Sequence, residues 1–356
     1  MLEKIGTSGI TETGQGDRVL NILRDSEQQS NRFVVMDWDM KNIPGIDVAR
    51  EIRCDKKVEN LPILILTSEA SKENILMARD IGVSGCLVKP FEFGTLADKL
   101  VDIARKRTDP PEHVKLIKKG ELSFEQGRYD EALAFYRESQ KMKTYARVLV
   151  NIGETFEKKG DYFNARNSYE KAFEANPQYL RAYLMAANLS TVINDEASAI
   201  SYLEKAVSLS PFISNRLVLL GATYLKNNEE QKAEETFNEA VKQDPSKNRD
   251  VGEEYLKAGN AKMAELHFRK YLDVGKDIQV YNQLGIALRK QGEWKKAVIE
   301  YMKAIEIDRN DEGVYFNMGT AYLDGGQPDE AGKCFAKAVK INPEFNEAAE
   351  ALKKLG

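Results

Sequence analysis

A chain of 356 residues, 42% hydrophobic and 30% charged, has the composition of an ordinary folded protein but exceeds what one core usually supports, so two structural units are expected, one of them elongated. Its 52 Lys and Arg against 56 Asp and Glu, a net charge of -4, do not suit a dedicated polyanion binder and argue against a nucleic-acid partner. Three scattered cysteines (Cys54, Cys86, Cys334), two histidines (His113, His267), no signal-peptide stretch and no run of about 18 apolar residues disfavour a disulfide framework, a zinc site, Ser/His/Asp catalysis and a membrane span, and predict a cytoplasmic chain.

Over residues 1–107, short apolar runs alternate with helical patterns. The runs are Phe33-Val34-Val35-Met36, Ile63-Leu64-Ile65-Leu66 and Cys86-Leu87-Val88, the texture of parallel strands covered on both faces. Helical spacing at 47–53, 71–80 and 95–107 completes the βαβ rhythm of a doubly wound α/β fold. Gly14-Gln15-Gly16 lacks the lysine of a phosphate loop and reads as a turn. Asp37, Thr67 and Lys89 follow the three runs, at strand ends that converge on one crevice. A carboxylate to attack phosphorus, an ammonium to pair with a phosphoryl oxygen and a hydroxyl to follow the new group suit reversible phosphorylation.

Met36-Asp37-Trp38-Asp39-Met40 with Pro44-Gly45, Leu66-Thr67-Ser68-Glu69-Ala70 and Val88-Lys89-Pro90-Phe91 resemble three motifs of response-regulator receiver domains of the chemotaxis type, in the family's order. The resemblance implies a flavodoxin-like receiver with Asp37 as phosphoacceptor, Thr67 and Lys89 as the switch pair, a cis Lys89-Pro90 bond, and a histidine kinase or phosphotransfer partner. Two features depart from it. Receivers open with a strand ending in an acidic pair that holds Mg²⁺, then a helix, and this chain has no room for either: residues 1–6 look like that helix's tail and 9–13 like the second strand. Of the usual Mg²⁺ ligands only Asp37 and the backbone carbonyl of Asp39 remain, so no cofactor is expected unless a longer N-terminus supplies the pair. The open sheet edge would be closed by the neighbouring strands, by a second copy in a homodimer, or by sequence upstream of the recorded start. The second departure is Cys86, standing where receivers often carry the switch aromatic; it reads as a buried small hydrophobe.

Thr108-Asp109-Pro110-Pro111 opens a stiff linker over 108–112, flanked by basic runs at 105–107 and 115–119 that read as solvated helix faces. Beyond it the chain repeats. Gly120, Gly153, Ala187, Gly221, Gly252, Gly285 and Gly319 recur every 31 to 34 residues; twelve residues after each comes Ala132, Ala165, Ala199, Ala233, Ala264, Ala297 or Ala331, and four further on Tyr136, Tyr169, Leu203, Phe237, Phe268, Tyr301 or Phe335. Pro177, Pro211, Pro245 and Pro343 close four units. Seven helical hairpins are predicted, at 113–145, 146–179, 180–213, 214–244, 245–277, 278–311 and 312–345, each large residue filling the gap beneath the next hairpin, with a capping helix at 346–356. The fifth unit is short and polar at its start, which predicts a shortened first helix.

These columns resemble tetratricopeptide repeats, which implies an α-solenoid that binds proteins or peptides on the face lined by first helices. Projected onto this sequence, that face holds Arg147, Glu154, Leu184, Asn188, Val218, Leu225, Asn282, Arg289, Phe316 and Asn317. Any one of them taken singly could be a solvated or packing position. The Lys/Asn/Arg clamp for a terminal carboxylate is lacking. His113 and His267 read as surface or groove residues. The expected function is a signalling adaptor with no enzymatic activity that binds partners through the groove under control of the receiver-like domain; the alternative is a phosphorylation-independent scaffold whose degenerate receiver serves docking or dimerisation. An enzymatic reading that places chemistry at Asp37 and Glu69 finds no substrate-pocket motif.

Overall fold

The computed structural model describes residues 10–25, 32–69, 71–108 and 110–355. The three apolar runs form one parallel sheet of β1 (Val34–Asp37), β2 (Ile63–Thr67) and β3 (Gly85–Val88), in that order. Val34 pairs with Ile63 and Leu64 with Gly85, which brings the carboxyl ends of the strands side by side. Helices α2 (Gly45–Cys54), α3 (Lys72–Ile81) and α4 (Phe93–Thr108) alternate with the strands. Leu64 and Leu66 pack with Leu96, Leu100 and Ile103 of α4, while Ile63 and Ile65 alternate to the opposite face and are fully buried there. Burial on both faces is why these strands read as unbroken apolar runs.

One element had no counterpart in the sequence reading: α1 (Gly16–Asp25), which packs on α2 and carries half-buried Val19, Leu20, Ile22 and Leu23. The strand expected at 9–13 is corrected for its described part, since residues 10–13 form no ladder. A strand exists only through its pairing, and the nearest pairing is a single bridge between Gln15 and Lys41. The bend at Gly14 leads straight into α1, as the turn reading requires. The helix tail expected at 1–6 lies outside the described residues.

After the linker come seven helical hairpins. The first three are α5 (Glu112–Glu125) with α6 (Tyr129–Met142), α7 (Ala146–Lys158) with α8 (Tyr162–Ala175), and α9 (Leu180–Val192) with α10 (Glu196–Leu209). The other four are α11 (Ser214–Lys226) with α12 (Glu230–Gln243), α13 (Asn248–Lys257) with α14 (Ala261–Leu272), α15 (Ile278–Lys290) with α16 (Trp294–Ile307), and α17 (Glu312–Asp324) with α18 (Pro328–Ile341); α19 (Asn346–Leu355) follows and buries Ala348. Every turn inside a hairpin contains one residue with positive φ: glycine at 127, 160, 259, 292 and 326, asparagine at 194 and 228.

The repeating small and large residues meet twice over. Each ring lies against the glycine of its own hairpin, and it also reaches the next hairpin as expected: Tyr136 packs with Val148 and Ile152, Tyr169 with Ala182 and Ala186, and the Phe237 ring lies 5.1 Å from that of Tyr255. A Cβ added at Gly221 would come 2.5 Å from the Phe237 ring, and one at Gly252 2.6 Å from the Phe268 ring. The glycine is the space the ring occupies. The hairpin with Ala187 instead of glycine carries Leu203, a side chain without a ring.

Two compact units result, Met1–Phe212 and Ile213–Gly356. The division falls inside the repeats and not at the 108–112 linker, because the N-terminal domain packs on the first three hairpins. Among the described residues no helix is long and apolar enough to cross a membrane.

The fifth hairpin is irregular as expected. A 3₁₀ turn (Pro245–Lys247) replaces the start of its first helix, and α13 has 10 residues where α11 and α15 have 13. His267 holds that turn, and it is neither a surface nor a groove residue: it is 2% exposed, stacks on Tyr255, and its Nδ1 lies 2.8 Å from Asn248 Oδ1. Asn248 in turn donates from Nδ2 to Pro245 O at 2.9 Å, so its Oδ1 accepts from a neutral imidazole. Burial, helped by Lys270, pulls His267 down from 6.5 to about 4. Between those values the unfolded chain takes up a proton that the fold refuses, so the stability from this group is present above pH 6.5 and is lost as pH falls towards 4. The loss is about 2 kcal/mol, and urea titrations at pH 7 and pH 4.5 should show a pH dependence smaller by that amount in His267→Gln.

Candidate functional site

At the carboxyl ends of the strands Asp37, Thr67 and Lys89 converge as the βαβ rhythm requires. Lys89 Nζ lies 2.6 Å from Asp37 Oδ1, with both side chains nearly half exposed. Thr67 is buried; its hydroxyl donates to Glu69 O at 2.8 Å and accepts from Glu69 N at 3.1 Å. The Lys89-Pro90 bond is cis. Gly45 opens α2 directly beneath this site: its N–H donates to Trp38 O at 2.8 Å, and any Cβ there would collide with the Asp37 carbonyl oxygen. Cys86 is half-buried, and burial raises its thiol above the usual range despite nearby Lys99. Among the described residues no three His, Cys, Asp or Glu side chains cluster as metal ligands. Asp37 and the Asp39 carbonyl do not by themselves make a Mg²⁺ site.

A second polar cluster lies in the same unit, where the N-terminal domain meets the hairpins. Residues 56–60 form a single turn after α2, shaped by Arg53, whose guanidinium donates to Glu59 O at 2.8 Å and Leu61 O at 3.0 Å. Burial, with Arg147 nearby, lowers Arg53 to about 10. The turn presents Glu59 to two arginines of successive first helices: Arg147 of α7 at 3.3 Å and Arg181 of α9 in direct contact. Each arginine also holds a glutamate of the preceding first helix, Arg147 with Glu121 at 2.6 Å and Arg181 with Glu154 at 2.8 Å. Lys56 reaches Glu154 at 2.7 Å, and Asn60 Oδ1 accepts from Arg147 at 2.7 Å. Arg181 is 2% exposed and Glu59 8%. Burial pushes the Glu59 carboxyl up while both arginines pull it down, and burial prevails. For Arg181 burial opposes the charge, but Glu154 and Glu59 outweigh it and its pKa is raised.

Helix α2 extends this contact. Arg50 donates to Leu209 O at the C-terminus of α10, where a cation complements the helix dipole, and to Gln178 Oε1 at 3.2 Å. Ser210 donates to Glu51 at 3.1 Å, and Cys54 packs against the cluster of Leu180, Tyr183, Ala206 and Leu209. The N-terminal domain is therefore seated on the first-helix face of its own repeats.

Among the projected groove residues, Arg147 and Glu154 are engaged in this contact, Leu184 packs beside the same apolar cluster, and Asn188 is exposed. In the second unit Val218 and Leu225 are half-buried on α11. Asn317 donates to Asn282 at 2.9 Å and Arg289 pairs with Asp324 at 3.3 Å, while Phe316 packs against Phe335 and Phe345 inside the array. His113 is half-buried and stacks on Tyr145, whose hydroxyl lies 2.9 Å from its Nε2.

The sequence reading missed Arg181, Glu121, Lys56 and Glu59. Arg147 and Arg181 stand at the same place in successive repeats, as do Glu121 and Glu154, each following the small residue. An acidic and a basic column at the repeat period was thus the available signal for half of the cluster. Nothing periodic marks Lys56 or Glu59.

Comparison with known proteins matches the geometry. The model of the response regulator receiver domain matches residues 1–101, tetratricopeptide repeat models match 116–144, 146–179, 180–212, 215–247 and 314–345, and a further TPR repeat model matches 285–326. Chemotaxis protein CheY-3 of Vibrio cholerae is 38% identical over 100 residues, 28% of this chain and 75% of that protein. Chemotaxis protein CheY of Pseudomonas aeruginosa is 34% identical over 103 residues, 29% of this chain and 81% of that protein. A tetratricopeptide repeat protein from Parabacteroides merdae has a solved structure that aligns with 68% of this chain and 98% of its own length, at 17% identity and a TM-score of 0.45. With a receiver domain joined to interaction repeats this is a signalling protein with the capacity to bind proteins, and the chain belongs to the response regulator receiver family through its first hundred residues and carries tetratricopeptide repeats through the rest.

Proposed function

We propose that the chain is a cytoplasmic signalling adaptor that acts by binding and not by catalysis, and that its receiver domain controls access to the first-helix face of the first three repeats. The observation that carries this reading is Glu59 of the receiver seated between Arg147 and Arg181 of the repeats. Helix α2 joins the two sites: it starts against Asp37 and ends at the turn that bears Glu59. A change in charge at Asp37 would disturb the Lys89 pair and the seat of Gly45, and α2 would transmit it to the docked turn. A histidine kinase or phosphotransfer partner fits the input, and protein or peptide partners of the groove fit the output.

The test is a small-molecule phosphodonor with Mg²⁺, read by mass and by amide exchange over residues 55–61. The reading predicts one phosphoryl group at Asp37, absent from Asp37→Asn, and at least tenfold faster exchange in the turn. No label and no change in exchange would refute control by the receiver and leave the second reading, the phosphorylation-independent scaffold.

A further inference from the structure

We propose that Arg147 and Arg181, with Glu121 and Glu154, form a reading site for a one-turn peptide segment carrying a cation three residues before a glutamate, and that residues 56–60 are its resident occupant, exchangeable for a segment of the same chemistry on a protein partner. The proposal rests on the adaptor reading but makes a separate claim, namely which ligand the groove accepts.

The site persists without its occupant. When Glu59 leaves, Arg147 keeps Glu121 and Arg181 keeps Glu154, so neither arginine is orphaned. Removing one partner of a buried ion pair is costly mainly because it strands the other charge, and here the repeats supply the second partner themselves.

Charge balance selects the ligand. Two arginines against Glu121 and Glu154 are neutral, so a lone added carboxylate would leave a net negative charge in a buried place. Lys56, reaching Glu154 from the same turn that presents Glu59, cancels it. The site therefore matches a zwitterionic turn and disfavours a purely acidic or purely basic peptide. Arg147 also retains capacity, since its Nε is buried with no hydrogen-bond partner.

Lys56, Glu59 and Asn60 engage the repeats through side-chain tips, while Arg53 of the receiver holds the backbone of the turn from behind. Such a contact can be copied by any short segment with the same tips. The tethered turn competes at an effective concentration on the order of millimolar, so a peptide in solution should bind the native chain poorly and a chain lacking Glu59 well.

The experiment uses the 356-residue chain and a fluorescent peptide of sequence Asp-Lys-Lys-Val-Glu-Asn-Leu, followed by anisotropy. Glu59→Ala is expected to bind at least tenfold more tightly than wild type. The same peptide with its glutamate replaced by glutamine, or its first lysine by glutamate, should lose at least tenfold, and Glu59→Ala with Arg147→Ala should lose binding. Glu59→Gln, nearly isosteric, serves if the alanine variant has an altered circular dichroism spectrum. Equal binding by wild type and variant, indifference to peptide charge, or no saturation at millimolar peptide would overturn the proposal. So would a concentration-dependent dimer that Glu59→Ala abolishes, because the occupant would then be a second copy. None of these outcomes depends on phosphorylation, so control by the receiver can fail while the reading site stands, and the reverse.

Discussion

Arg181→Ala should destabilise the first unit by about 3–5 kcal/mol and release the receiver domain from the repeats. The side chain is almost wholly buried and its guanidinium serves Glu59 and Glu154 at once, so its loss leaves two carboxylates facing each other in a place water reaches poorly. Glu59 is already raised by burial with both arginines present, and without Arg181 the cheapest relief is to withdraw the turn into water. Arg181→Lys should fall between alanine and wild type, because a single ammonium cannot fork to two carboxylates. Lys159 also pairs in direct contact with a carboxylate, that of Asp130, yet Asp130 is 87% exposed, and Lys159→Ala should cost less than about 1 kcal/mol. Urea unfolding of the three variants measures the contrast, and equal losses for Arg181→Ala and Lys159→Ala would remove the buried cluster from the account.

The second large effect concerns the small and large columns of the hairpins. Gly221→Ala improves helix propensity by about 1 kcal/mol, yet it should destabilise the second unit, because the new methyl group would have to lie where the Phe237 ring is. Phe237 is fully buried, and Phe237→Ala should cost about 3–5 kcal/mol through the cavity it leaves. The informative variant is Gly221→Ala with Phe237→Leu. The third hairpin already pairs Ala187 with Leu203 and buries both, so the double change copies an arrangement this chain uses. Its stability should exceed the sum of the single losses by about 1 kcal/mol or more in a double-mutant cycle. Strict additivity would mean that ring and glycine do not share one space.

What the sequence made legible follows from what leaves a local or periodic mark. The three strands were readable because each is buried on both faces, and Asp37, Thr67 and Lys89 because strand ends in a parallel sheet must converge. The seven hairpins were readable because a stacked array imposes the same packing at every repeat. The packing of each aromatic beneath the next hairpin was readable, but its contact with the glycine of its own hairpin was not, because spacing along the chain does not tell the two contacts apart. Helix α1 was missed because its apolar residues are only half-buried and its pattern is short. The docking of receiver on repeats was hidden for a different reason. Glu59 and Arg181 are separated by 122 residues, and one such contact leaves no period, no motif and no shift in composition. Arg147 and Glu154 were singled out as residues of a peptide groove, and within this chain they hold a segment of its own receiver domain.

Amide exchange of residues 55–61 in the 356-residue chain, wild type beside Arg181→Ala, tests that docking most directly. The turn is secured by its seat on the repeats, so wild type should protect Val58 and Glu59 to the level of the neighbouring helix α7, and the variant should lose at least a hundredfold of that protection. Rapid exchange in the wild type, or equal protection in both proteins, would mean that the receiver does not occupy its own groove.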